Sequence, residues 1–240
     1  MQPITLCREV NPKSKVKWNV KGLLPKNEIV LLCGNVGFLN TLIATDLAFS
    51  AAAGISWCKR SIVDKQRIYS ALDGCMYKES GYFYDVWMKN HGFDPALNKH
   101  SFPYHYQCES INFSDHYSLC LLGDDLGSCF MQKPSIIVLN TSDSEFGRIK
   151  TRQQAVSLIR YCDYLRGETH ATILLVDKDG GLEHTAGFKT LLEESSVVYR
   201  AEKAEKNHVP VLVTLKNHTK GLTKPILLGS QLKKSWEGLI

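Results

Sequence analysis

No stretch of the 240-residue chain approaches the ~18 consecutive apolar residues that a membrane-spanning helix requires. Its first residues show no cationic segment followed by an apolar core, so a cytoplasmic location and no membrane partner are expected. The eight cysteines (Cys7, Cys33, Cys58, Cys75, Cys108, Cys120, Cys129 and Cys162) include no CxxC pair and no Cys/His run at zinc spacing. That excludes an ordinary zinc module and reads as reduced, mostly buried thiols. Internal repeats, low-complexity tracts and Gly/Ser/Pro-rich linkers are also missing, which argues against solenoids and tethered domains. One domain is expected over residues 1–240, with an N-terminal arm at 1–17, a core at 18–230 and a C-terminal tail at 231–240. What is there is a globular composition, 44% hydrophobic and 22% charged. The net charge of +5 and pI near 8.7 fall short of the pI above ~9 of a dedicated nucleic-acid domain, and fit either a solubility role or contact with a polyanion.

The first coherent apolar run is Ile29-Val30-Leu31-Leu32-Cys33, preceded by the turn-like Leu24-Pro25-Lys26-Asn27 and followed by Gly34. It reads as a buried strand entering a loop. From Asn40 to Ala53 there is no Gly or Pro, apolar residues recur at Leu42, Ile43, Leu47 and Ala51, and Gly54 supplies a stop, which predicts a helix. Further short apolar runs follow at Arg67–Ala71, Ile136–Asn140, Thr172–Val176, Val197–Arg200, Val211–Leu215 and Pro225–Leu228. Thr151–Arg166 has helical spacing between two of them. This alternation predicts an α/β fold with a mostly parallel twisted sheet flanked by helices. The last three runs, close together, are expected as antiparallel strands at the C-terminal edge.

A phosphate-binding loop needs Gly-x-x-x-x-Gly-Lys-Ser/Thr between strand and helix, so that backbone N–H groups and the helix N-terminus face the phosphates. The eight residues in that setting are Gly34, Asn35, Val36, Gly37, Phe38, Leu39, Asn40 and Thr41. Gly34 and Thr41 match, but Leu39 replaces the second obligatory glycine and Asn40 the lysine. The glycine position commonly takes a positive φ, which costs a residue with a Cβ about 1–2 kcal/mol. A neutral amide cannot neutralise phosphate charge as an ammonium does. Thr41 could still hold Mg²⁺ if a nucleotide were bound.

The segment Trp18-Asn19-Val20-Lys21-Gly22-Leu23-Leu24-Pro25 resembles the one leading into the first strand in the RepA-type hexameric helicase branch of the RecA-like P-loop ATPases. Downstream blocks resemble it in the same order. Arg67–Gly74 is similar to a strand whose end carries the water-positioning glutamate, here Asp73. Pro134–Thr141 is similar to the Walker B strand, with Asn140 at the aspartate. Leu165–Val176 is similar to the helix end and strand leading to a His-His sensor pair, here Asp177 and Lys178. Ala186-Gly187-Phe188 and Val197–Arg200 stand where a helix start and the next strand are expected, so the likeness runs over about residues 18–228. The resemblance implies a RecA-like fold with degenerate Walker A and Walker B motifs. The departures fall at the chemical positions while the flanking apolar pattern persists.

By the same resemblance, Lys216 and Lys220 stand where basic residues reach a neighbouring subunit's γ-phosphate, although solvated lysines of a hairpin turn explain them as well. Lys178 could act as a substitute cation. His91, His100, His105 and His116 lie among many aromatics in the segment 77–129 but show no ligand spacing, so core packing is the expectation there. Cys33 reads as a core thiol. The function implied is that of a pseudo-ATPase acting by binding, with no cofactor expected unless the pocket retains Mg-ATP. Its expected partner is a protein or a second copy, such as an ATPase or helicase ring in plasmid or phage-type replication, with single-stranded DNA as a further candidate. The alternatives are a deviant ATPase that uses Asp73 and a nonspecific nucleic-acid-binding protein.

Overall fold

The computed structural model describes residues 16–34, 39–71, 74–98, 101–107, 120, 122–124, 126, 133–141, 149–177, 185–203, 210–217 and 225–237. A short antiparallel pair, β1 (Trp18–Val20) and β2 (Leu24–Pro25), precedes the main sheet. That sheet is built from β3 (Ile29–Cys33), β4 (Ile68–Ala71), β5 (Tyr104–Gln107), β6 (Ile136–Asn140), β7 (Thr172–Val176), β8 (Val197–Lys203), β9 (Pro210–Asn217) and β10 (Ile226–Leu227). Their order is β10-β9-β8-β3-β7-β6-β4-β5. From β8 to β5 every pairing is parallel, and β8–β9 and β9–β10 are antiparallel. The mostly parallel sheet with an antiparallel C-terminal edge is therefore as the apolar runs predict.

The central strands are continuous apolar runs because both of their faces are covered. In β3, Val30 and Leu32 enter one core with helix α1 (Leu39–Ala53) and α2 (Gly74–Asn90), while Ile29, Leu31 and Cys33 enter the other with α4 (Arg152–Thr169) and α5 (Ala186–Glu194). The period of two along one strand thus feeds two hydrophobic layers. Between α2 and β5 lies the single turn α3 (Pro95–Asn98). Helix α4 begins at a capping box in which Thr151 and Gln154 satisfy each other's backbone donors. The segment 18–25 is tied to the base of the sheet: Asn19 Nδ2 donates to Ser135 O and Thr172 Oγ1, and Tyr199 Oη to Leu23 O.

Helix α1 is buried all round, with every residue from Asn40 to Ala52 inaccessible. The chain closes on it with α6 (Gly229–Ser235), which runs beyond residue 231, where the sequence pattern puts a tail, and buries Leu232 and Trp236. Packing of these two side chains against α1 and α2 overrides the polar appearance given by Lys233 and Lys234. The contact is organised by Asp46 in mid-α1, fully buried. Its carboxylate accepts Trp57 Nε1 at 2.7 Å and Trp87 Nε1 at 2.8 Å, and Ser235 and Gln231 of α6 lie near enough to favour its charged form. Burial pushes the Asp46 pKa above the usual carboxylate range, against the opposite pull of those bonds. His91 Nε2 lies 3.0 Å from Ser235 Oγ, and the His91 ring stacks on Trp87 at 4.1 Å.

Candidate functional site

The sheet order places β7 between β3 and β6, so the residues that follow these three strands converge at their C-terminal ends, where open α/β sheets bind ligands. Gly34 leaves β3 with φ +149°, and a Cβ there would lie 2.2 Å from Ala201 O. Only glycine fits this close approach. Residues 35–38, the middle of the loop, lie outside the described residues, as do Asp73, Lys178 and Lys220.

Helix α1 starts at Leu39. Leu39 does not take a positive φ, and its side chain packs against the core shared with β3. Helical geometry thus removes the strain that the glycine position would impose. Asn40 is fully buried, and its amide nitrogen donates to Gly34 O at 2.8 Å and to Asp177 O at 3.0 Å. The residue at the lysine position therefore pins the start of the loop to the end of β7. Asn40 Oδ1 is buried with no hydrogen-bond partner among the described residues.

Asn140, at the end of β6, donates from Nδ2 to Thr41 Oγ1 at 3.2 Å, with both residues buried. Thr141 beside it donates from N and Oγ1 to Val176 O, which fixes β6 against β7. Asp177 is buried, its N–H donating to Leu32 O. The consecutive Asn40 and Thr41 are thus joined to Asp177 and Asn140, 137 and 99 residues further along, and none of the four carries positive charge.

Lys216 lies in β9 rather than in a turn. Its ammonium donates to Leu192 O at 3.0 Å and also to Glu193 O, closing the C-terminal carbonyls of α5. Burial lowers its pKa, with Glu194 and Glu193 pulling the other way. Cys33 is a buried thiol donating to Tyr199 O. Among the described residues there is no group of three or more His, Cys, Asp or Glu placed to hold a metal, and no helix is long and apolar enough to cross a membrane. Among the described aromatics of the segment 77–129, Phe83 and Trp87 are buried and Tyr82 is exposed, while His100 and His116 lie outside the described residues. Sequence reasoning missed the Asp46 cluster, for which the one available signal is an acidic residue inside an otherwise apolar helix.

The strand order and the buried helix that follows β3 are those of the RecA-like P-loop fold. The chain is similar to the solved structure of the KaiC-like protein PH0186 from Pyrococcus horikoshii, with a TM-score of 0.59 and 13% identity over 88% of this chain and 93% of that one. It is also similar to the flagellar accessory protein FlaH from Methanocaldococcus jannaschii, with a TM-score of 0.50 and 10% identity over 84% of each chain. No protein-family model matches the sequence, and no curated protein matches it.

Proposed function

We propose that the protein is a degenerate RecA-like pseudo-ATPase that acts by binding, joining or regulating a related ATPase or helicase ring of the plasmid or phage replication type. The observation that carries this reading is the pair of neutral amides at the head of α1. In a working site the P-loop cation balances the phosphates, and the Walker B carboxylate holds Mg²⁺ and its water. Here the Asn40 donors are turned onto Gly34 O and Asp177 O, and Asn140 directs an N–H at the Thr41 hydroxyl oxygen, the atom Mg²⁺ would need. The four residues therefore do not fit Mg-ATP as the resemblance requires, and no hydrolytic step is routed through them. The hydrogen bonds made by the Asn40 and Asn140 amides join neutral groups and need no nucleotide to complete them.

Titration calorimetry with Mg-ATP tests this. The wild type is expected to show no binding near micromolar affinity, about 8 kcal/mol. Binding of that strength that Thr41→Ala abolishes would overturn the reading. Leu39→Gly combined with Asn40→Lys and Asn140→Asp is expected to gain Mg-ATP binding, since the strand and helix frame is in place.

A further inference from the structure

On the same side of the sheet as α1, a cavity of about 660 Å³ opens between α1, α2, α3 and β5. Protein interiors close to crystal density leave few voids larger than a water molecule, whereas this volume is within the range of small-molecule sites. Its walls are rings: Phe49, Phe83, Tyr84, Phe102, Tyr104 and Tyr106. Phe49 meets Tyr84, Phe102 and Tyr104 at interplanar angles of 87°, 71° and 73°. The rings therefore face in several directions around one space rather than stacking into a slab. Only Phe49 and Phe83 of the six are fully buried, so the other four keep surface toward the opening.

The charged residues at the cavity are Asp85, Lys89 and Asp94, one more carboxylate than ammonium. Asp94 also caps α3, its Oδ1 accepting from Ala96 N at 2.9 Å and Leu97 N at 3.4 Å. The Tyr84 hydroxyl is buried and has no hydrogen-bond partner among the described residues. Burial, and secondarily the Asp85 charge, raise its pKa, in keeping with a negative potential at that wall. A surplus carboxylate beside aromatic faces, each carrying negative charge density, disfavours a polyanion and attracts a cation. Base stacking in a nucleic acid would bring phosphates to this same mouth.

We infer that this aromatic-walled cavity is a binding site for a hydrophobic organic cation, an ammonium carrying aryl or alkyl groups, separate from the loop after β3. The ammonium head would sit among the ring faces, and the apolar body against Pro95 and Ala96. This inference does not depend on whether the phosphate loop binds nucleotide.

The test uses the full chain and two probes of equal shape, benzyltrimethylammonium and its uncharged carbon isostere neopentylbenzene, with binding followed by ligand-observed NMR. The cation is expected to bind about tenfold more tightly than the isostere, the scale of a partly desolvated cation–π contact. Tyr104→Leu should remove most of that preference. Asp85→Asn, at an exposed position where folding is not at stake, should weaken the cation about threefold and leave the isostere unchanged. Equal or tighter binding of the isostere would overturn the inference, as would failure of both probes to bind. A thymidine oligonucleotide displacing the cation from this cavity would also overturn it.

Discussion

The head and the middle of one helix, α1, solve the problem of buried polarity in different ways. At its head, Asn40 and Thr41 are held by neutral partners, one amide onto two carbonyls and another amide onto a hydroxyl. Two turns along, in mid-helix, Asp46 keeps a carboxyl in the interior and gives it indole donors from Trp57 and Trp87. This scaffold can therefore house an ionisable group where it supplies donors. Burial still raises the Asp46 pKa, so the interior favours the uncharged carboxyl, and neutral residues at the head of the helix follow the same preference. They stand where, in an active relative, the balancing charges would come from nucleotide and metal rather than from protein.

The largest expected effect breaks the middle of the helix. Asp46→Ala leaves two buried indole N–H groups without an acceptor, at about 1–3 kcal/mol each, and is expected to cost about 3–5 kcal/mol in urea unfolding. Asp46→Asn keeps one oxygen acceptor and should lose about half as much. A loss below about 1 kcal/mol for Asp46→Ala would show that the cluster contributes little to stability, and the contrast between head and middle would fail.

Next in size, Asn40→Asp turns a donor that serves two carbonyls into an acceptor facing them. A loss of about 3 kcal/mol is expected at neutral pH, against about 1–2 kcal/mol for Asn40→Ala, which merely removes the bonds. If the two variants are equally stable, the amide orientation at the head of the helix is not what holds the loop to β7.

The mid-helix cluster also predicts a pH signature. His91, beside Ser235, has its pKa lowered from 6.5 to about 4, chiefly by burial and further by Lys234. Its neutral form is favoured by folding, so the stability it contributes is present above pH 6.5 and is lost as pH falls toward about 4. Asp46 has the opposite sign: its raised pKa contributes stability that is full below its unfolded value of 3.8 and fades as pH rises through the folded one. Unfolding midpoints compared at pH 7 and pH 5 should therefore fall more steeply for the wild type than for His91→Gln. Identical slopes would remove His91 from the cluster's titration.

The head of α1 was more legible in the sequence than its middle. Ile29–Cys33, Gly34 and the Gly/Pro-free run to Ala53 signal strand, loop and helix within one contiguous stretch, and the positions of Asn40, Asn140 and Asp177 follow from the helix and strands that carry them. The geometry that joins them was not readable, because the Asn40–Asp177 bond depends on β7 lying next to β3. In mid-helix, Asp46 meets partners 11 and 41 residues away, and α6 is a seven-residue helix bearing two lysines, too short for periodicity to stand out. The aromatic segment after β4 read only as core because its rings serve both as packing and as cavity wall, a distinction that depends on interplanar angles.

The smallest effect sharpens the comparison most directly. Asn140→Asp introduces a carboxylate at the head of α1 with little change in shape. The Thr41 hydroxyl can rotate to donate where it now accepts, so the hydrogen bond survives, while the charge is added at a site only 4% exposed. A loss of about 1–2 kcal/mol is expected at neutral pH, since the added charge is buried. The new carboxyl should have a raised pKa, so the variant should regain stability as pH is lowered and the group protonates. Added millimolar Mg²⁺ should restore nothing, because the Asn40 amide still closes the loop. An Asn140→Asp protein as stable as the wild type at neutral pH would mean that a buried charge is tolerated at the head of α1, and the neutrality of that position would need a cause other than stability.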